Sequence, residues 1–172
     1  MSAYRLDGVD IAALPKVSLH DHLDGALRPS TIIELATAAG IELPAATPRG
    51  LARWFIEQSS CGDLPSYLAT FDLTVALLQD AASLRRVAGE YVQEAAADGI
   101  VYAEGRWAPE LCTRAGLTLR EAVDAVADGL EDGTRRVHAA GGSIQATQIL
   151  CAMRQNDRAD EVAALAADLI GD

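Results

Sequence analysis

The chain has 172 residues, which is enough for one ordinary domain with a sizeable core. Half of the residues are apolar and 23% are charged, a composition that excludes an intrinsically disordered protein. The formal net charge of -11 disfavours binding to nucleic-acid phosphates and to anionic lipid surfaces. We therefore expect a globular protein that has neither a nucleic acid nor a membrane as its partner.

Targeting and redox features point to the cytoplasm. The sequence has no run of about 18 apolar residues that could span a bilayer. The first ten residues, MSAYRLDGVD, lack the basic segment and apolar stretch of a secretory signal. The three cysteines, Cys61, Cys112 and Cys151, are isolated and odd in number, which favours a reducing compartment without a disulfide framework.

The first hundred residues contain one predicted strand followed by several helices. Alternating residues predict the strand, and Ser30 and Gly40 are the predicted N-cap and stop of the first helix. Three chain breakers predict a loop at 41–50. The predicted strand covers residues 17–24, and the helices cover 30–40, 51–60, 64–79 and 83–99.

The second part of the chain alternates strands and helices. Strands are predicted at 100–110 and 143–153, and helices at 119–141 and 158–170, the first of these opened by Thr118. This alternation is typical of βαβ units in a parallel sheet. Three strands are few for this much helix, and no fourth strand follows the last helix. We therefore expect the chain to be incomplete.

The most distinctive pattern is the pair of histidines in VSLHDHLD. In a strand, His20 and His22 point to one face and Asp21 to the other. Two adjacent imidazoles are a natural pair of ligands for a divalent metal. Asp24-Gly25 follow at once, which places the pair near the carboxyl end of the strand, where parallel α/β folds carry their chemistry. The spacing alone is equally compatible with ordinary polar residues at a strand edge.

A longer comparison of motifs favours the metal interpretation. The segment LPKVSLHDHLDGALRP resembles the N-terminal signature of the adenosine deaminase family. The resemblance continues in LPSYLATFD (64–72), in VYAEGRWAPE (101–110) with Arg106, and in ILCAMR (149–154). It covers essentially the whole chain, and it is closer to deaminases of adenosine than to the larger AMP-specific enzymes.

The resemblance implies a fold, a cofactor and a reaction. The fold would be a (β/α)8 TIM-type barrel, and residues 1–172 would be the N-terminal part of that single domain, with about the first three strands and their helices. His20 and His22 would be two ligands of one zinc ion. The complete protein would hydrolyse adenosine or deoxyadenosine to inosine and ammonia, with water activated by zinc.

The resemblance also implies substrate contacts. Asp24 would face the ribose 5′-hydroxyl, and Met153 would lie at the substrate pocket. A helical stripe at i, i+3, i+4 and i+7 would form the lid of the pocket, although this spacing alone favours ordinary core packing. The stripe consists of Leu64, Tyr67, Leu68 and Phe71.

Other family features fall outside this sequence. The remaining metal ligands and the proton-transfer groups lie on later strands, so the resemblance implies no catalytic residue in this segment, and we expect the chain alone to be inactive. The third histidine, His138, lies in a charged helix end and is expected on the surface. Gly105 replaces a branched residue of the second strand and is expected to weaken its packing.

Two alternatives stay open. The chain could belong to a related metal-dependent hydrolase of another purine or amine, or it could be a truncated, non-catalytic chain that needs a partner. The zinc deaminases of nucleic acids are excluded, because they need a CxxC pair and an HxE motif, and the sequence has neither. The sequence does not indicate an oligomeric state.

Overall fold

The structure is a computed structural model that describes residues 5–60 and 62–170. Within these ranges the strands are β1 (Arg5–Leu6), β2 (Val9–Asp10), β3 (Lys16–His22), β4 (Ile100–Trp107) and β5 (Gln145–Leu150). The helices are α1 (Pro29–Ala39), α2 (Pro48–Ser59), α3 (Leu64–Ala76), α4 (Ala81–Ala97), α5 (Leu119–Ala139) and α6 (Ala159–Asp168). None of these helices is long and apolar enough to cross a bilayer.

Strands β3, β4 and β5 form one parallel sheet in that order. Each strand is followed by helix, so the carboxyl ends of all three strands meet at one edge. The side of β4 that carries Ala103 and Trp107 is buried under the helices. We call it the helix-covered face, and the opposite side the inner face.

Helices α4 and α5 pack closely against each other over the helix-covered face. Their contact is made possible by glycines, since a Cβ on Gly129 would lie only 2.3 Å from the carbonyl oxygen of Arg85. The buried side chains of both helices, including Leu84, Val92 and Val126, belong to one continuous core. Much of the buried core of the described residues lies in this layer.

Helix boundaries follow the capping residues closely. Thr118 and Glu121 form a capping box at the start of α5, as the prediction of Thr118 implied. Gly40 ends α1 in the left-handed conformation with a φ of 67°. Ser30 is not the N-cap of α1, because Pro29 already occupies the first helical turn and Arg28 takes the cap position.

Two local features differ from the prediction. The first is a small antiparallel hairpin of β1 and β2, which turns at Asp7 and Gly8 with φ angles of 50° and 85°. An Asp-Gly pair with both residues at positive φ is typical of a tight hairpin turn, and the prediction missed this signal. The second is α2, which begins at Pro48 inside the predicted loop because the Thr47 side chain accepts a hydrogen bond from Gly50.

Gly105 does not weaken the packing of β4. A Cβ at this position would lie 3.3 Å from Cε1 of Tyr91 and 3.5 Å from Cβ of Leu23. The space that a branched side chain would fill is therefore taken by the Tyr91 ring and by Leu23. The expectation of a poorly packed strand was wrong, because the partners of Gly105 come from distant parts of the chain.

Candidate active site

His22 lies at the carboxyl end of β3 and has partners at both ring nitrogens. Its Nδ1 is 3.0 Å from Oδ1 of Asp24, and its Nε2 is 2.9 Å from Nη1 of Arg106. The arginine can only donate, so His22 Nε2 carries the lone pair and Nδ1 carries the hydrogen that Asp24 accepts. The structure thus fixes one tautomer of this histidine.

His20 occupies a break in the strand register. Ser18 pairs with Ala103 and Asp21 with Gly105, so two residues of β3, Leu19 and His20, stand opposite the single residue between those partners. His20 has a φ of 60°, which is unusual for a residue with a side chain. Such a bulge re-aims side chains and is frequent beside active sites.

Asp21 and His22 point to opposite sides of the sheet. Asp21 pairs with Gly105, whose missing side chain would meet Tyr91 on the helix-covered face. His22 pairs with Arg106 and contacts its guanidinium on the inner face. The alternation predicted for the HxH segment therefore holds for Asp21 and His22, while His20 is displaced by the bulge.

A cleft of about 750 Å³ opens beside His22 at the carboxyl ends of the strands. We call it the inner cleft; its lining includes Asp24, Arg106, Trp107 and Met153, and Leu68 and Phe71 come from α3. A second cleft of about 540 Å³ lies between α1, α2 and α3 and shares His22 and Phe71 with the first. The ring centroids of His22 and Phe71 are 5.2 Å apart, so α3 forms the wall between the two clefts.

Three of the four residues in the predicted stripe of α3 line the clefts: Tyr67 lines the second cleft, Leu68 the inner cleft and Phe71 both, whereas Leu64 lines neither. Leu64 and Leu68 are 66% and 51% exposed, and Tyr67 is 38% exposed. The buried residues of this helix are instead Thr70, Thr74 and Val75. Core packing, which the spacing alone favoured, is therefore excluded for Leu64, Tyr67 and Leu68. Phe71 is half-buried and lines both clefts.

Glu110 is a feature of the inner cleft that the sequence analysis missed. It is only 6% exposed, and one of its carboxylate oxygens accepts a hydrogen bond from the backbone N–H of Met153. The other oxygen has no hydrogen-bond partner among the described residues. The signal in the sequence was an acidic residue directly after the buried Trp107-Ala108-Pro109. Glu110 fixes the segment after β5 that carries Met153.

The cysteines near the cleft have different environments. Burial, together with the nearby Asp24 charge, raises the pKa of the Cys112 thiol to about 12, so this cysteine is protonated at neutral pH. Cys151 is half-buried at the end of β5 and accepts hydrogen bonds from Nε and Nη2 of Arg106. The guanidinium of Arg106 therefore contacts both Cys151 and His22.

The described residues do not form a metal site by themselves. In residues 5–60 and 62–170, no group of three histidine, cysteine, aspartate or glutamate side chains could hold a metal ion. His138 is exposed on α5 and its Nε2 lies 3.1 Å from the carbonyl oxygen of Ile144. His138 is thus on the surface, as predicted.

Comparison with known proteins decides the family. The sequence pattern of the adenosine deaminase family matches residues 15–170. The chain belongs to the adenosine deaminase family. An adenosine deaminase of Mycobacteroides abscessus is 50% identical over 162 residues, which is 94% of this chain but 45% of that protein. The chain therefore spans less than half the length of this relative.

Solved structures of the family agree with the fold. An N6-mAMP deaminase from Arabidopsis superposes with a TM-score of 0.74 at 28% identity, covering 93% of this chain and 48% of that one. An amidohydrolase from Burkholderia ambifaria, solved with bound zinc, gives a TM-score of 0.69 at 30% identity, covering 91% and 40%. The TIM-barrel prediction is confirmed: β3, β4 and β5 with their helices form part of such a barrel.

Proposed function

We propose that the complete protein is a zinc-dependent deaminase that hydrolyses adenosine or deoxyadenosine to inosine and ammonia. In this proposal the present chain supplies the first two metal ligands and the lid of the substrate pocket. The observation that carries it is the state of His22, whose Nε2 lone pair lies on the inner face beside the inner cleft. Family membership supports the deaminase chemistry.

The donor set at the end of β3 fits a zinc ion. Zinc binds neutral imidazole through a nitrogen lone pair, and a ligating histidine usually donates its other N–H to a carboxylate. His22 has this arrangement, because Nδ1 donates to Asp24 and Nε2 has the lone pair. His20 would be the second ligand, and its exposed position in the bulge leaves its ring accessible. The further ligands would come from other parts of the complete protein.

Residues of this chain orient the groups of the proposed metal site. A zinc ion, when bound, supplies the Lewis acidity that makes water a nucleophile at neutral pH. Asp24 keeps His22 in the tautomer that can bind metal. The carboxylate of Asp24 has a second oxygen and lines the inner cleft, so it can also accept a hydroxyl of the substrate, as proposed for the ribose 5′-hydroxyl.

The inner cleft suits a purine nucleoside. Its volume of about 750 Å³ lies in the usual range for small-molecule sites. Leu68 and Phe71 offer apolar surface to a flat base, and Met153 also lines the cleft. The cleft carries the carboxylates of Asp24 and Asp72 as well as the guanidinium groups of Arg106 and Arg114, so the choice of a nucleoside substrate rests on the similarity to adenosine deaminases.

The test is made on the complete protein that contains this chain. We expect one zinc per protein and conversion of adenosine to inosine, followed by the change in ultraviolet absorbance. His22→Ala should lose both zinc and activity, whereas His138→Ala, the matched control on the surface of α5, should keep both. Zinc content unchanged in His22→Ala would refute the metal assignment.

The same assay separates the alternatives. Deoxyadenosine, adenine, AMP and N6-methyl-AMP are tested beside adenosine, and preference for any of the last three would replace the proposed substrate while keeping the reaction class. The 172-residue chain alone should show no turnover, because a catalytic zinc site needs three protein ligands and the described residues offer two. Turnover by the short chain would show that it supplies the missing groups itself.

A further inference from the structure

Arg106 donates a hydrogen bond to Nε2 of His22, and this bond uses the lone pair that a metal ion needs. Its Nη1 lies 2.9 Å from Nε2 of His22, which is a normal hydrogen-bond distance. A guanidinium has donors only and stays charged in proteins, so the contact uses the lone pair of the imidazole. One lone pair cannot accept this hydrogen bond and bind a cation at the same time.

The guanidinium of Arg106 is held from a second side. Its Nε and Nη2 lie 3.3 and 3.2 Å from Sγ of Cys151. The backbone brings Cys151 to this place, because its N–H donates to the carbonyl oxygen of Trp107 at 2.9 Å at the end of β5. Arg106 therefore bridges all three strands of the sheet, from His22 on β3 to Cys151 beyond β5.

We propose that Arg106 competes with the metal ion for His22, and that Cys151 holds Arg106 in the competing position. This inference rests on the proposed zinc function, because it concerns the same nitrogen. In this view Arg106 opposes metal binding, because its guanidinium must withdraw from Nε2 of His22 before a metal ion binds there. The inner cleft, which Asp72 also lines, has room for the displaced guanidinium.

Two effects of Arg106 can be separated experimentally. The guanidinium blocks the lone pair directly, and its positive charge also repels a divalent cation. Arg114 lines the same cleft and is exposed, and among the described residues its side chain makes no contact with His22, so its removal tests the effect of charge. Arg114→Met is therefore the matched control for Arg106→Met.

The experiment is a zinc titration of the 172-residue chain by calorimetry at fixed pH. We expect Arg106→Met to bind zinc about tenfold more tightly than wild type, since binding no longer breaks a charge-assisted hydrogen bond. Arg114→Met should change the affinity much less. Cys151→Ala should raise the affinity by a smaller factor than Arg106→Met, because the guanidinium stays but is held less firmly. If Arg106→Met does not fold, Arg106→Gln replaces it.

The outcomes distinguish this inference from the zinc assignment. Equal affinity of wild type and Arg106→Met, or an equal gain in Arg114→Met, would overturn the competition while leaving zinc binding through His22 intact. A loss of affinity in Cys151→Ala would make Cys151 a metal ligand and overturn its holding role. Undiminished zinc binding by His22→Ala would overturn both proposals. Nitrogen NMR of the His22 ring gives an independent readout, since its Nε2 signal should change in Arg106→Met without any metal.

Discussion

The two faces of the sheet differ sharply in how far they are buried by other parts of the chain. On the helix-covered face, Ala103 and Trp107 are almost fully buried, and α4 and α5 close over them. On the inner face, the organised contacts are the polar ones of Arg106, and along the edge strand β3 the side chains of Val17 and Leu19 are 59% and 62% exposed. The difference shows that the packing stability of this chain comes from one face and its candidate chemistry from the other.

This separation follows from where each set of partners lies in the chain. The helix-covered face packs against helices that lie between the strands in the sequence. The residues that bury this face are therefore present in this chain. The inner face of a barrel is packed by side chains from the other strands. Within the described residues, only β3, β4 and β5 contribute to this sheet. We therefore expect substitutions on the two faces to have very different effects on the free energy of unfolding.

The largest contrast should appear between two leucines. Leu84 on α4 is 1% exposed, and Leu84→Ala should lower the free energy of unfolding by about 2–5 kcal/mol, through lost burial and a cavity. Leu19, in the bulge of the edge strand β3, is 62% exposed, and Leu19→Ala should change the free energy of unfolding by less than about 0.5 kcal/mol. Urea unfolding of the 172-residue chain, followed by circular dichroism, measures both values.

The pair of leucine variants is its own control, since both remove the same atoms. A cost of more than about 1 kcal/mol for Leu19→Ala would mean that the Leu19 side chain is covered in solution. The most direct check of that result is the concentration dependence of unfolding, because cover by a second copy makes stability depend on protein concentration.

The next effect concerns the close approach of α4 and α5. A Cβ on Gly129 would lie 2.3 Å from the carbonyl oxygen of Arg85 and 2.7 Å from Cβ of Ala88. Gly129→Ala should therefore push the helices apart and cost about 2 kcal/mol, even though alanine favours the helix by about 1 kcal/mol over glycine. Thermal and urea unfolding of the variant measure this cost.

Gly89 provides the matched control for Gly129. It lies in the middle of α4, but a Cβ there would be 3.2 Å from the nearest backbone atom, the carbonyl oxygen of Gly129. Gly89→Ala should be close to neutral, because the small strain is offset by the helix propensity of alanine. Equal costs at both positions would show that the close approach of α4 and α5 does not decide the stability.

Local signals were enough to predict most elements of the fold. The Thr118 capping box and the Gly40 stop are encoded in adjacent residues, and the observed helices begin or end there. The Asp7-Gly8 hairpin was equally local, and was missed although its signal was present. The two-residue alternation of a strand was enough to predict that Asp21 and His22 point to opposite faces of the sheet.

The parts of the site that could not be predicted depend on contacts between distant residues. The bulge at His20 exists only relative to β4, which lies eighty or so residues further along the chain. The same holds for the contact of Gly105 with Tyr91, and for the bridge from His22 through Arg106 to Cys151. The motif indicated the two candidate metal-ligating histidines, but no local pattern showed that an arginine contacts one of them.

The smallest expected effect tests a buried residue of the helix-covered face. Tyr91 is 4% exposed, and its hydroxyl has no hydrogen-bond partner among the described residues. Burial, with smaller contributions from the charges of Asp21 and Glu104, raises the pKa of Tyr91 to about 12. Because an unpaired buried hydroxyl is costly, Tyr91→Phe should leave the free energy of unfolding at pH 7 unchanged or raise it by up to about 1 kcal/mol.

The pH dependence of the same variant sharpens this prediction. The folded chain keeps the Tyr91 proton up to a pKa of about 12, whereas the unfolded chain loses it near the ordinary value of 10.0, so wild type should lose stability as the pH rises from about 10 towards 12. Tyr91→Phe should lose less over this range. Cys112, whose raised pKa acts in the same direction, is present in both proteins and cancels in the difference. Parallel pH profiles for the two proteins would mean that the pKa of Tyr91 is not raised in the folded chain. A clear loss of stability in Tyr91→Phe at pH 7 would mean that the hydroxyl donates a hydrogen bond, and the carboxylate of Asp21, whose charge acts on Tyr91, would be the first acceptor to examine.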